Sequence, residues 1–239
     1  MARKTKETAV GSQNRTVTPN EAKSAIEHCI KLQRPLMMWG APGIGKSDIV
    51  KQVADSQKRE VIDIRLPLWE PTDIKGIPYY NSKENNMVWA SPAELPTDPK
   101  SNAIVFLDEL NSAAPAVQAA AYQLILNRRV GQYHLPEGVS IVAAGNRDSD
   151  KGVTYRMPAP LANRFVHIEL RVDYDDWLQW ATDRKVHADV VGYCTFAKQD
   201  LYDFDPRGSS RSFATPRSWS FVSQLLSDDL PESTLTDLV

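Results

Sequence analysis

Short apolar runs alternate with amphipathic stretches over most of the first 170 residues. After Thr18-Pro19-Asn20-Glu21, apolar residues recur at helical spacing, which is typical of a helix start. Runs of apolar residues predict strands, and amphipathic stretches between them predict helices at 46–57, 114–127 and 158–163. The predicted strands are 36–39, 61–66, 103–107, 139–144 and 165–170. This alternation predicts an α/β fold with a parallel sheet flanked by helices.

The pattern changes at both ends of this region and once inside it. Residues 1–17 are polar and basic, so we expect a disordered tail before an α/β domain at 18–171. Beyond it, Asp173 and Thr215 each predict a helix start, and 172–239 is expected to be a small helical lid domain. The proline-rich stretch 67–100 fits either a functional loop or a solvated insertion with a short hairpin near Met87-Val88-Trp89.

Composition narrows the setting of the protein. The chain has 239 residues, 42% of them hydrophobic, which is enough to bury a large core. A net charge of −2 gives no sign of a nucleic-acid-binding surface. Cys29 and Cys194 are far apart, which argues against a disulfide framework or a zinc site. With no apolar stretch of membrane-spanning length and no signal peptide, a soluble cytoplasmic protein is expected.

A glycine-rich segment follows the first predicted strand. Gly40-Ala41-Pro42-Gly43-Ile44-Gly45-Lys46-Ser47 fits the Walker A pattern G-x-x-x-x-G-K-[ST], and a helix is predicted to open at Lys46. Such a loop turns backbone N–H groups toward a polyphosphate, and the helix adds the positive end of its dipole. We expect Lys46 to hold the β- and γ-phosphates and Ser47 to hold Mg²⁺. The alternative is an ordinary glycine turn.

Two acids end the strand predicted at 103–107. An apolar strand followed by Asp108-Glu109, about 60 residues after a Walker A segment, is the Walker B arrangement. Asp108 would bind Mg²⁺, and Glu109 would orient and deprotonate the attacking water. The alternative is that one of them caps the following helix.

Three further polar residues lie at the ends of predicted elements. Asn146 ends the strand at 139–144, where its amide would hold the attacking water if that strand neighbours the Walker B strand; otherwise Gly145-Asn146 is a simple turn. Arg164, at a helix-to-strand junction, fits an ordinary surface arginine. Arg217 lies in the first turn of the last helix, which indicates a nearby anion unless solvent alone compensates it.

The sequence resembles the AAA+ ATPases, and most closely the MoxR-like and phage-encoded AAA ATPases. The resemblance covers roughly residues 18–228. Five segments carry it: Gly-Ala-Pro-Gly-Ile-Gly-Lys-Ser at 40–47, Ile-Val-Phe-Leu-Asp-Glu-Leu at 104–110, Ala-Ala-Gly-Asn at 143–146, Pro-Leu-Ala-Asn-Arg-Phe at 160–165 and Ala-Thr-Pro-Arg-Ser-Trp at 214–219.

The resemblance implies roles for the polar residues. Asn146 matches the sensor 1 asparagine, Arg164 the arginine finger offered to a neighbour's ATP, and Arg217 the sensor 2 arginine. It implies ATP and Mg²⁺ as ligands and a homo-oligomeric ring, commonly a hexamer, with ATP at the subunit interfaces. Asn163 departs from the aspartate that relatives often carry before the finger. Phage relatives often continue beyond the lid helix, so two alternatives stay open: a chain that is truncated after Val239 and one that is not.

Three functions compete at this point. The first is an ATP-driven remodeler of a protein partner, by the resemblance a von Willebrand factor A-type protein. The second is an ATP-dependent nucleic-acid-binding motor or loader. The third is a nucleotide-gated scaffold that seldom cleaves ATP, which intact Glu109 and Arg164 disfavour.

Overall fold

Six parallel strands form the main sheet of the computed structural model, which describes residues 15–150, 154–208 and 212–228. Their order across the sheet is β1 (Arg15–Val17), β10 (Val166–Leu170), β2 (Leu36–Trp39), β9 (Ser140–Gly145), β6 (Ile104–Asp108) and β3 (Val61–Arg65). Every residue of β9 is buried, as expected for a central parallel strand covered on both faces. The α/β fold predicted from the alternation is confirmed.

Helices cover both faces of this sheet. On one face, α1 (Pro19–Lys31) and α2 (Lys46–Ser56) pack with Met38 and Phe106 in one buried cluster. On the other face, α4 (Pro115–Asn127) and α5 (Ala159–Ala162) pack with Met37 and Val105. Thr18 caps α1 together with Glu21 in a capping box, which confirms the predicted helix start.

The predicted disordered tail is wrong at its last three residues. Arg15–Val17 form β1, which pairs in parallel with β10, and Val17 is buried. The pairing satisfies the backbone of a segment whose side chains give little sign of a strand. Residues 1–14 of that predicted tail lie outside the described residues.

The stretch 67–100 contains a hairpin, as one of its two interpretations predicted. Helix α3 (Pro71–Lys75) precedes the hairpin, in which β4 (Ile77–Asn81) pairs with β5 (Asn86–Ala90). A second, smaller hairpin of β7 (Arg129–Val130) and β8 (Tyr133–His134) lies against the first, because the backbone N–H of Trp89 donates to Gln132 Oε1 at 3.2 Å.

Helices α6 (Tyr174–Asp183), α7 (Ala188–Phe196) and α8 (Pro216–Ser227) follow the sheet. They share a separate apolar cluster that includes Trp177, Val190 and Leu201. Asp173 and Thr215 cap α6 and α8, as predicted. The domain limits proposed at 171 and 172 remain a prediction. Among the described residues, no helix has the length and apolar character needed to cross a membrane.

Candidate active site

The glycine-rich loop connects the end of β2 to the start of α2. Gly43 and Gly45 have φ of +76° and +93°, in the left-handed region that favours glycine. A Cβ atom on Gly45 would meet no atom within 4 Å, so open space lies in front of the loop there. A loop of this shape in front of a helix N-terminus fits a phosphate group.

Lys46 is the first residue of α2, and its side chain bonds to the loop that precedes it. Its Nζ donates to Gly40 O at 2.6 Å, to Ala41 O at 2.9 Å and to Asn146 Oδ1 at 3.2 Å. Burial lowers the pKa of the ammonium group from 10.5 to about 8, and the Arg217 cation contributes in the same direction. Asp108 acts against this shift, because a nearby carboxylate favours the charged lysine. The site therefore holds a partly desolvated cation suited to a strongly anionic ligand.

Ser47 and Asp108 meet at the carboxyl end of the sheet. Ser47 Oγ donates to Asp108 Oδ2 at 3.2 Å, and Asp108 Oδ1 accepts from the backbone N–H of Glu109 at 2.9 Å. A hydroxyl and a carboxylate oxygen are ligands that Mg²⁺ prefers, so the pair fits that ion.

Glu109 adopts a left-handed conformation with φ +54° and is exposed. Its side chain caps no helix, and α4 begins only after Ala114, so the helix-capping alternative for this pair of acids is wrong. A non-glycine residue in this region of φ costs free energy, and such residues occur in turns, at helix ends and at functional sites. Glu109 lies in the turn that follows β6.

Asn146 follows β9, which lies between β2 and β6 in the sheet. The condition set for its predicted role, a strand next to the Walker B strand, is therefore met. Its Oδ1 contacts Lys46 Nζ, which brings the amide to the glycine-rich loop.

Sequence reasoning missed Asn111, which holds Asn146 in place. Asn111 is 2% exposed and lies in the short 3-10 helix Leu110–Ser112. Its Nδ2 donates to Asn146 O at 2.8 Å, and its Oδ1 accepts from Asn146 N at 3.2 Å. The one signal in the sequence is an asparagine three residues after Asp108 and two after Glu109, which alone predicts a turn.

A second missed group is a cluster of charges directly after Asn146. The Arg147 guanidinium pairs with Asp150 at 2.9 Å and with Glu169 of β10 at 3.1 Å. These hydrogen bonds raise the pKa of Arg147, and Asp150 is 8% exposed. The cluster ties the end of β9 to β10, and so supports Asn146 from the other side.

A cavity of about 800 Å³ lies between the glycine-rich loop and the helices that follow the sheet. Gly45, Ser47, Asp108, Glu109 and Arg217 all contribute to its walls. The backbone N–H of Arg217 donates to Gly43 O at 3.2 Å, so the first turn of α8 contacts the loop directly. Arg217 therefore lies beside the candidate anion site.

Arg164 lies at the far end of the sheet from the glycine-rich loop. It precedes β10, where Val166 is in register with Leu36 and Glu169 with Trp39. At about 3.3 Å per residue, the junction is about 15–20 Å along the sheet from the level of the glycine-rich loop. The Arg164 side chain is exposed, and among the described residues it forms no hydrogen bond or ion pair. It cannot act in the site of its own chain without a large rearrangement.

Comparison with known proteins identifies the family. The model of the ATPase family associated with various cellular activities (AAA) matches residues 35–167, more than half of the chain. The chain belongs to the AAA ATPases. The matched range includes the glycine-rich loop, Asp108-Glu109, Asn146 and Arg164 of this AAA ATPase chain.

Individual relatives of this AAA ATPase are distant. Over 174 residues it is 29% identical to midasin of Giardia intestinalis, a match that spans 67% of this chain and 4% of midasin. Among solved structures, a Cytophaga hutchinsonii protein described as an ATPase matches with a TM-score of 0.53 at 18% identity. That match covers 92% of this chain and 62% of the other.

A point mutant of Thermotoga maritima RuvB matches with a TM-score of 0.56 at 17% identity, over 88% of this chain and 61% of RuvB. The chain thus spans less than two thirds of each of these relatives. At this level of identity, the solved structures support the P-loop AAA+ fold alone.

Proposed function

We propose that this AAA ATPase hydrolyses ATP in a Mg²⁺-dependent reaction. The observation that carries the proposal is the convergence of Lys46, Ser47, Asp108, Glu109 and Asn146 around one phosphate-sized loop. An ammonium, a hydroxyl, two carboxylates and an amide are the groups that phosphoryl transfer to water requires.

Each residue has a distinct part in the proposed reaction. The backbone of residues 41–47 and the Lys46 ammonium bind the phosphates, and Arg217 adds positive charge from the first turn of α8. Glu109 accepts a proton from the attacking water, and Asn146 orients that water through its amide. Ser47 and Asp108 would hold Mg²⁺, which supplies charge neutralisation at the phosphates when bound.

Arg164 is proposed to act on the ATP of a neighbouring subunit in a homo-oligomeric ring. Its exposure and its distance from the glycine-rich loop of its own chain support this assignment. An arginine supplied in this way contributes about 10³–10⁵ in rate in related enzymes. Isolated subunits are therefore expected to be poor catalysts, and a hexamer is the expected ring.

We further propose a protein client and a MoxR-like remodelling activity, with a von Willebrand factor A-type protein as the first partner to test. The hairpin of β4 and β5 supports a protein client, because Ile77, Tyr79, Tyr80 and Met87 are at least half exposed there. Lys83 and Glu84 balance each other in that hairpin, so it carries no basic surface for nucleic acid. A cytoplasmic setting remains a prediction.

The test of the reaction is Glu109→Gln at concentrations that favour assembly. The variant is expected to bind ATP with wild-type affinity and to turn it over at least about 100-fold more slowly, because the proton acceptor is lost. Glu27→Gln, on the exposed side of α1, is the matched control and should retain full turnover. Unchanged steady-state hydrolysis by Glu109→Gln would refute the assignment of the base.

Two further measurements separate the remaining functions. Turnover stimulated by DNA, with binding that weakens steeply as salt increases, would favour a nucleic-acid motor over a protein remodeler. Slow turnover by wild-type protein in fully assembled rings would instead favour a nucleotide-gated scaffold.

A further inference from the structure

Two aromatic rings connect the strand that leads into the glycine-rich loop with the strand that follows Arg164. Trp39 Nε1–H donates to His167 Nδ1 at 2.9 Å, and the two ring planes differ by 10° with centroids 6.0 Å apart. Because the indole nitrogen can only donate, His167 Nδ1 must be the unprotonated nitrogen. The proton of the neutral ring is then on Nε2, which donates to Ala162 O at 2.7 Å.

His167 contacts the turn that carries Arg164 on both sides. Ala162, which accepts the Nε2 hydrogen bond, ends α5 two residues before Arg164. Phe165, directly after Arg164, packs its ring against the His167 ring edge-on, with centroids 6.1 Å apart. Phe165 is 7% exposed, so its contact is part of the core. One imidazole therefore contacts the backbone before an exposed arginine and the side chain directly after it.

The other end of this connection reaches the candidate active site. Trp39 is the last residue of β2, and the next residue, Gly40, accepts a hydrogen bond from Lys46 Nζ at 2.6 Å. The backbone N–H of Gly40 also donates to Gly145 O, which directly precedes Asn146. The bonded path thus runs from the glycine-rich loop through Trp39 and His167 to the Arg164 turn.

We propose that His167 is a positioning residue, which orients Arg164 toward the neighbouring subunit and ties it to the β2 strand of its own chain. The inference rests on the proposed function, in which Arg164 acts on the neighbour's ATP. His167 itself touches no substrate. Trp39 assists by holding the imidazole in the tautomer that donates to Ala162 O.

Mixed rings of two inactive subunits provide the test. A Lys46→Ala subunit cannot bind the phosphates but still presents Arg164, whereas an Arg164→Ala subunit binds ATP but presents no arginine. Hydrolysis by the mixture therefore comes from interfaces at which a Lys46→Ala donor faces an Arg164→Ala acceptor. His167→Phe is then placed in the donor or in the acceptor, in separate mixtures.

We expect His167→Phe in the donor to lower kcat at least tenfold with an unchanged KM for ATP. The same change in the acceptor should lower kcat less than twofold, which also shows that the variant folds and assembles. Trp39→Phe in the donor should give a smaller loss, since the Ala162 bond persists. His167→Gln keeps one acceptor and one donor on its amide and should recover part of the rate. His28→Gln, on an exposed surface of α1, is the matched control.

If His167→Phe lowers kcat equally in the donor and in the acceptor, the role of His167 is structural. If the change in the donor leaves kcat unaltered, His167 has no role in positioning Arg164. Either result overturns the inference. Failure of the proposed function looks different. In that case Arg164→Ala alone would retain full turnover in homogeneous rings, before any change at His167.

Discussion

Replacing Lys46 by methionine is expected to abolish nucleotide binding and, at the same time, to make the free energy of unfolding less dependent on alkaline pH. The ammonium lies in a partly desolvated position, where burial lowers its pKa from 10.5 to about 8. A lysine whose pKa is lower in the folded than in the unfolded protein favours unfolding while it is charged. Methionine removes that cost and keeps most of the side-chain volume.

The magnitude follows from the two pKa values. A tenfold change in proton affinity corresponds to about 1.4 kcal/mol, so the charged lysine costs up to about 3 kcal/mol at pH 7. Loss of the three hydrogen bonds of Lys46 offsets this by about 1 kcal/mol each, which leaves a net change near zero at neutral pH. The contribution of these hydrogen bonds varies little with pH. The cost of burying the charged lysine, in contrast, disappears as the pH increases and the folded protein releases the proton. Between pH 8 and 10.5 the unfolded chain still holds the proton that the folded protein has released, so wild-type stability increases relative to the variant.

Urea unfolding without nucleotide measures this difference at pH 7 and at pH 9.5. Wild type should gain about 2 kcal/mol relative to Lys46→Met over that interval. Lys51→Met, on the exposed side of the same helix, is the matched reference for a lysine lost from the surface. A difference between wild type and Lys46→Met that stays constant within about 0.5 kcal/mol would refute the buried-cation argument.

Two further substitutions test the support of the site. Gly43→Ala should lower the free energy of unfolding by about 1–3 kcal/mol and weaken ATP binding, because φ is +76° and the new Cβ would lie 2.7 Å from Thr215 Oγ1. Urea unfolding and equilibrium ATP binding measure the two effects. Unchanged values would contradict the close contact between Gly43 and Thr215. Asn111→Ala leaves two backbone groups of Asn146 without partners and should lower the free energy of unfolding, measured in urea, by about 2–4 kcal/mol. Gln118→Ala, which breaks one buried hydrogen bond, is the reference. A loss no larger than that of Gln118→Ala would contradict the supporting role of Asn111.

The sequence was sufficient to predict the elements that have strong local signals. The strand–loop–helix order around Lys46 and the acids at the end of β6 follow from spacing and apolar runs alone. The caps at Thr18, Asp173 and Thr215 were predicted because an N-cap is decided within four residues of chain. The sequence predicted a role for Asn146 only if its strand neighbours the Walker B strand. The observed strand order, with β9 between β2 and β6, meets that condition.

What the sequence did not predict depends on pairs of residues that are distant along the chain. Strand β1 has one apolar residue, and it forms because β10 lies more than 140 residues away in sequence and offers an open edge. The bonds between Asn111 and Asn146 need a 3-10 turn and a neighbouring strand at the same level. Arg147 likewise has a partner on β10, Glu169, which spacing does not indicate.

Because the first turn of α8 contacts Gly43, a change in the shape of the glycine-rich loop would tilt the whole helix. Gly43 O accepts a hydrogen bond from the Arg217 N–H, and Thr215 packs against the same glycine. The point about which α8 would tilt therefore lies in the loop that would close on phosphate. Helix α8 has 12 residues and is about 18 Å long. A tilt of about 10° at Gly43 would move its far end, at Ser227, by about 3 Å over that length. A small change in loop shape would thereby become a displacement of several ångströms at the end of α8.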